Sequence, residues 1–256
     1  MSVFIQAVIL GIVQGLTEFL PISSSGHLVL MQHFLGIETP QVMFDVLLHG
    51  GTLIALTVFF RSEILKLVIQ PNRSNLQYVF YLILATVITV AILFPIRDSV
   101  ESLFNNVHKV SWALILTGSI LWISARFHKV SVEEKEVGWK TAVLMGLAQA
   151  LAAVPGISRS GVTIAAGLMC QKSAYKVFRF SMLMSMAVIL AAIILKLMER
   201  EPLGIPVPAA ILGVTAAAIT GLGALTLLKR FLMAGHFGIF AYYCWFLGVW
   251  TLVSMR

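Results

Sequence analysis

The sequence predicts an all-α, polytopic membrane protein: an inverted-topology repeat with six full spans and two re-entrant helical hairpins. Three observations carry this. The 256 residues are 59% hydrophobic and 11% charged, against about 25% charged in a soluble domain, and the mean hydropathy is +0.95. Six apolar runs reach the roughly 17–25 residues needed to cross a bilayer. Two further apolar regions are interrupted by Pro, Gly and Ser, and they resemble each other at a fixed offset. Helices satisfy their own backbone hydrogen bonds in hydrocarbon. A barrel would show short alternating strands, and these runs are long and unbroken.

In chain order, the first broken region is 3–31, interrupted at "QGLTEFLPISSSGH" (14–27). Spans are expected at 44–60, 76–96 and 110–125. The second broken region is 141–170, interrupted at "QALAAVPGISRSG" (149–161), and spans follow at 180–198, 207–228 and 237–255. Broken helices at membrane depth survive only inside protein or beside a wet cavity. Each broken region is therefore read as two half-helices that dip in and return to the same side.

A shift of 135 residues carries Gln14 onto Gln149, Gly11 onto Gly146, Ile22-Ser23 onto Ile157-Ser158 and Ser25-Gly26 onto Ser160-Gly161. Duplication explains this register better than chance, so the single membrane domain, 1–256, divides into repeats 1–135 and 136–256. Three crossings per repeat invert the second half relative to the first, the plan of transporter-like folds whose sites lie at the repeat interface. Twelve Lys and Arg fall on the side reached after the first span, among them Arg61, Lys66, Arg126, Lys129, Lys135 and Lys176. The other side, with both termini, has five: Arg97, Lys109, Lys196, Arg200 and Arg256. Positive residues stay cytoplasmic. The termini and the first hairpin's mouth are thus expected outside, with the second hairpin entering from the cytoplasm.

The formal charge of +7 reports orientation and anionic head groups and gives no reason to expect nucleic acid. Cys170 and Cys244 lie in apolar surroundings and read as buried thiols. The start, "MSVFIQAVIL", lacks a basic n-region, so no cleaved leader is expected. His33, His108, His128 and His236 read as interfacial or loop residues, "FSMLMSMAV" as packing or lipid-facing sequence, and "VEEKEV" (132–137) as a solvated loop. Asp45 and His49, four apart, either border a cavity or pair with one another.

The chemistry concentrates in the two interruptions. Gln14 and Glu18 share one helix face, and an intramembrane carboxylate is a functional candidate. The plainer alternatives are a protonated Glu18, or a pair with Arg159 that only joins the hairpins. Ser23, Ser24, Ser25 and His27 follow Pro21 at the start of a half-helix, where free N–H groups and the dipole attract phosphate. Helix capping explains one of these serines. The second hairpin has Arg159 where the first has Ser24, and a guanidinium fork suits bidentate phosphate binding. Ser158, Ser160 and Thr163 add hydroxyls. Conversely, Ala153 stands opposite Glu18 and Val162 opposite His27. One hairpin carries acid, hydroxyl and imidazole, and the other the cation, an asymmetry that favours catalysis over symmetric transport.

On "QGLTEFLPISSSGH" and "PGISRSGVT" the chain resembles the undecaprenyl-diphosphate phosphatase family, the integral-membrane bacitracin-resistance proteins. Motif order, spacing and total length agree across essentially the whole chain. The resemblance implies hydrolysis of undecaprenyl diphosphate to the monophosphate and inorganic phosphate, recycling the carrier lipid of cell-wall synthesis. It implies a divalent metal, Mg2+ or Ca2+, and a multi-pass protein of the bacterial plasma membrane with its active site open to the outer face. The functional positions it carries over are Gln14, Glu18, Ser24, His27, Ser158, Arg159, Ser160 and Thr163. Gln14 stands where many relatives have Glu, and a neutral amide is a poorer metal ligand.

In the resulting scheme Glu18, with Gln14, holds the metal, and Arg159 with Ser23, Ser158, Ser160 and Thr163 binds the diphosphate. Ser24 attacks phosphorus while His27 or Glu18 manages the proton. In the competing scheme a metal-activated water attacks and Ser24 only donates a hydrogen bond. The substrate lipid and the bilayer are the expected partners, and the sequence leaves a homodimer open. A lipid-phosphate flippase on the same repeat is the alternative function. A type 2 phosphatidic-acid-phosphatase-like site is rejected: no histidine follows Arg159 until His236, and no Asp follows it at all.

Overall fold

A computed structural model of the chain describes residues 1–37, 42–96, 100, 103, 107–127, 136–199 and 202–254. Among the described residues there are eleven α-helices, one 3-10 turn and no strand. The expectations for Arg97, His128, Lys129, residues 132–135 of the acidic loop, Arg200 and Arg256 lie outside the described residues, as does the boundary between the two repeats.

The first broken region forms α1 (Val3–Phe19) and α2 (Ser24–Phe34), and the second forms α7 (Trp139–Leu151) and α8 (Arg159–Met169). The first interruption follows from proline chemistry. Leu20 precedes Pro21, a position that disfavours helix, and Leu20 adopts φ −63°, ψ 145°, which stops α1. At the second, Gly156 turns the chain with φ +96°, and a Cβ there would stand 2.4 Å from the Val110 carbonyl oxygen. Only glycine fits both demands.

Among the described residues five helices are long and apolar enough to cross a membrane. They are α3 (Val42–Phe59), α5 (Arg73–Leu93, prolonged by Phe94–Ile96), α6 (Val107–Phe127), α9 (Ala174–Glu199) and α10 (Val207–Met233). The sixth expected span, 237–255, corresponds to α11 (Ile239–Ser254), 16 residues, or about 24 Å of helix against a hydrocarbon core of about 30 Å. The first expected span, 44–60, does not lead straight into a loop: the chain bends at Phe60 into α4 (Arg61–Ile69), a short helix with no buried residue. Large apolar side chains such as Phe80, Trp112, Ile219 and Phe246 point outward, which a lipid surround accommodates and water does not.

The hairpins are gripped by close helix contacts. A Cβ on Gly11 of α1 would sit 2.2 Å from the Gly213 carbonyl oxygen of α10, and one on Gly146 of α7 would sit 2.7 Å from the Ala85 carbonyl oxygen of α5. Small residues let backbones approach where there is no hydrophobic driving force between helices. Thr89 adds a polar tie, its hydroxyl lying 3.0 Å from the Gly146 carbonyl oxygen. The hairpin turns are anchored too. Thr117 of α6 donates to the Gly156 carbonyl at 2.9 Å, and Ser160 donates to the Leu20 carbonyl at 3.1 Å, joining one turn to the other. Phe19, Phe60, Phe178 and Phe180 are fully buried in the main core around this junction.

Candidate functional site

Glu18 occupies the last turn of α1, facing α8, and is 8% exposed. Its Oε1 accepts from Arg159 Nη2 at 2.5 Å. Its Oε2 accepts from Ser24 Oγ at 2.5 Å and from Gln14 Nε2 at 3.0 Å. Ser24 and Arg159 are the first residues of α2 and α8, so each hairpin aims its first helical side chain at one carboxylate. A buried ion pair is no proof of stability in itself, but deleting one partner leaves a buried charge uncompensated, at about 3–5 kcal/mol.

The flanking hydroxyls have structural duties. Ser23 caps α2 by accepting from Gly26 N–H at 3.3 Å, and Ser158 caps α8 by accepting from Gly161 N–H at 3.2 Å. Each cap also pairs with the serine two residues on, Ser23 with Ser25 and Ser158 with Ser160, both at 3.2 Å. Thr163 donates back to the Arg159 carbonyl at 2.7 Å and lies 2.6 Å from the Ser181 hydroxyl. It supports the start of α8 from behind.

His27 is held apart from the carboxylate. Its Nδ1 lies 2.7 Å from the Ser23 carbonyl and its Nε2 lies 2.7 Å from the Tyr243 hydroxyl. A carbonyl only accepts, so Nδ1 carries the proton and Nε2 accepts from tyrosine. Ser23 has φ +68°, rare for a side-chain-bearing residue, and the His27 bond fastens the carbonyl of that strained residue.

A cavity of about 260 Å³ opens beside the carboxylate, and Glu18, Ser24, Ser25, Ser158 and Arg159 contribute to its wall. His27, Ser23, Ser160 and Thr163 do not line it. Among the described residues three buried side-chain atoms have no hydrogen-bond partner: Arg159 Nη1, Gln149 Oε1 and Gln14 Oε1. A buried donor of this kind is costly; Arg159 has one nitrogen unpaired while the other holds Glu18. No group of three His, Cys, Asp or Glu side chains that could hold a metal occurs among the described residues. The donors at hand are the Glu18 carboxylate and the unpaired Gln14 Oε1. Gln14 does not line the cavity and both Glu18 oxygens already accept hydrogen bonds, so these side chains fit only a hard cation that Glu18 alone reaches and that takes its other ligands from phosphate oxygens and water.

Two cavity residues were not resolved from sequence. His49 of α3 brings Nε2 to 3.6 Å from Glu18 Oε2, while its Nδ1 bonds the Asp45 carbonyl at 2.8 Å. The Asp45 carboxylate is taken by Gln32, at 2.8 and 2.9 Å. The i, i+4 spacing left pairing and cavity both open, and the structure turns His49 toward the cavity. Gln149 lines it as well; its only sequence signal was its register with Gln14.

The chain is similar over nearly its full length to proteins of one kind. The family described as "Bacitracin resistance protein BacA" matches residues 7–250. A protein of Halothermothrix orenii named undecaprenyl-diphosphatase is 37% identical over 99% of this chain and 98% of its own. Proteins of the same name from Syntrophotalea carbinolica and Gemmatimonas aurantiaca are 39% and 40% identical, covering 96% and 98% of this chain and 96% and 97% of their own.

Proposed function

From the premise that this chain belongs to the bacitracin resistance protein BacA family, we propose that it is an integral-membrane phosphatase acting on undecaprenyl diphosphate. It releases inorganic phosphate and returns the monophosphate carrier lipid to cell-wall synthesis. The observation that carries this is the shared carboxylate: Glu18 holds a hydroxyl from one hairpin and a guanidinium from the other, beside a cavity that Arg159 lines, and the second terminal nitrogen of that guanidinium is buried and unpaired.

Arg159 binds the diphosphate through Nη1 and neutralises the charge that develops on the transferring phosphoryl group, where positioning and electrostatics do most of the work. Ser24 Oγ attacks the terminal phosphorus. As the new O–P bond forms, its proton passes to Glu18 Oε2, to which the hydroxyl already donates, and the bridging oxygen leaves with the lipid monophosphate. Water then cleaves the seryl phosphate, releasing inorganic phosphate and restoring the hydroxyl. Ser23 and Ser158 keep the two helix starts, with their N–H groups and dipoles, directed at the anion. Ser160 and Thr163 brace that geometry, and His27 acts through the Ser23 carbonyl as a positioning residue. Glu18 is the cavity residue that would hold Mg2+ or Ca2+, with Gln14 orienting it through the bond to Oε2, and the ion would supply charge neutralisation on the diphosphate.

The architecture belongs to the same reading. Repeats 1–135 and 136–256 are inverted copies, and their hairpins are re-entrant. Helix neighbours support this by exchanging in pairs: α1 packs on α10 as α7 packs on α5, and α10 on α3 as α5 on α9. Positive charge bias sets the termini and site outward from the plasma membrane. Phosphate release from undecaprenyl diphosphate by purified protein in detergent tests the function, since a flippase has no membrane to act across there. Activity is expected to vanish with chelator and return with Mg2+ or Ca2+. Failure to release phosphate with either metal overturns the reading.

A further inference from the structure

The cavity beside Glu18 has two chemically different ends. The polar end is formed by Glu18, Ser24, Ser25, Ser158 and Arg159. The opposite end is hydrocarbon: Val46 of α3, and Val188, Ile189, Ala192 and Ile193 of α9. On α9 the lining residues recur at 185, 188–189 and 192–193, the spacing of one helical face. Along that face the chemistry changes steadily. Ser185 is a buried hydroxyl; about 10 Å further along the axis the wall is alkyl. A diphosphate has no use for such a wall, whereas an amphiphile with an aliphatic chain on its phosphate does.

The size and the openings decide how much of such a chain can enter. About 260 Å³ lies below the roughly 300–1,000 Å³ of ordinary small-molecule sites, so a head group and the first branched units fill it and the rest must lie outside. Three of the lining residues are alanines that reach the surface at least in part. Ala192 lines the cavity and is exposed, and Ala152 and Ala153 line it from the turn after α7 and are half-buried. Ile193 lies toward α3, its Cδ1 3.8 Å from where a Cβ on Gly50 would stand.

Resting on the phosphatase reading, we propose that the α9 face Val188–Ile193, with Val46, seats the first isoprene units of the substrate, and that the chain leaves for the bilayer past Ala192, Ala152 and Ala153. The head is then fixed by Arg159, and the orientation of the cleaved bond is fixed from both sides.

The test uses purified full-length protein in detergent with two probes, farnesyl diphosphate and methyl diphosphate, which share the head and differ in the tail. Ala192→Trp fills the exit, while Ala187→Trp places the same bulk on an exposed part of α9 outside the cavity. The ratio of kcat/KM for farnesyl over methyl diphosphate is expected to fall about tenfold or more in Ala192→Trp and to hold within about twofold in Ala187→Trp. An unchanged ratio in Ala192→Trp, or an equal fall in both variants, overturns the proposal. A farnesyl diphosphate carrying a photoreactive group on its first isoprene supplies a second readout, with labelling expected on 188–193. Labelling confined to other helices also overturns it. If the unaltered protein released phosphate from neither probe, the phosphatase reading would fail, and the labelled peptide would still decide where a prenyl chain sits.

Discussion

The two hairpins share a frame and differ in what they carry. Ser23 and Ser158, 135 residues apart, make the same cap and the same contact with the serine two positions on, to within about 0.1 Å. Around this common frame the side chains differ. Position 24 is a hydroxyl and its mate, 159, a guanidinium, while position 18 is a carboxylate and its mate, 153, an alanine. Even the backbone differs at one point: Ser23 is at φ +68° and Ser158 at −79°. Caps and glycine contacts solve a folding problem that both halves face, so they stay alike. A phosphoryl-transfer site needs unlike groups in one place, and a symmetric pair cannot supply them.

The strongest way to break this comparison is to remove one of the unlike groups. Arg159→Ala and Glu18→Ala are each expected to lower turnover about 10³-fold or more, read as phosphate release by protein that still elutes as a single species in detergent. Each also strands a buried charge, so both should lower thermal stability. Combining the two removes both charges and should recover part of that stability with no return of activity. Near-normal hydrolysis by either single variant would show that the hairpins are not complementary halves of one site.

Next in size is Ser24→Ala, expected to cost about 10³-fold and to abolish a trappable phosphoseryl intermediate. An active variant would mean that water attacks directly and that Ser24 only orients. Arg159→Lys keeps the charge and loses the fork. An ammonium has donors enough but only one nitrogen, which cannot stand where both guanidinium nitrogens stood, so a loss of about 10²-fold in kcat/KM is expected. The smallest effect is predicted for His27→Phe, about tenfold or less, because its nitrogens are committed to Ser23 and Tyr243. A collapse of kcat equal to that of Ser24→Ala would give His27 a direct part in proton transfer.

Much of this was legible in the residues. Pro21 and the Pro155-Gly156 pair mark the interruptions because their backbones cannot continue a helix, and intramembrane charge is rare enough that Glu18 and Arg159 stood out without a fold. Their meeting is what low dielectric demands of two opposite charges. Other features were hidden for identifiable reasons. The bend at Phe60 leaves no mark because no proline or glycine makes it. Ser23, Ser24 and Ser25 are identical in composition, yet one caps, one faces Glu18 and one lines the cavity, a division set by the turn. His27 and His49 were weighed by motif membership, whereas position on a neighbouring span decides which of them reaches the carboxylate.

The guanidinium of Arg159 is fastened before any ligand arrives, with one nitrogen tied to Glu18 and the other idle and buried. Immobilising a long side chain ordinarily costs about 0.5–1.5 kcal/mol when a complex forms. Here that loss of freedom was already incurred when the polypeptide folded. On the proposed reading an incoming anion meets a rigid receptor, so its capture should be governed by how fast it sheds water and diffuses through the bilayer, with little waiting for the protein to rearrange.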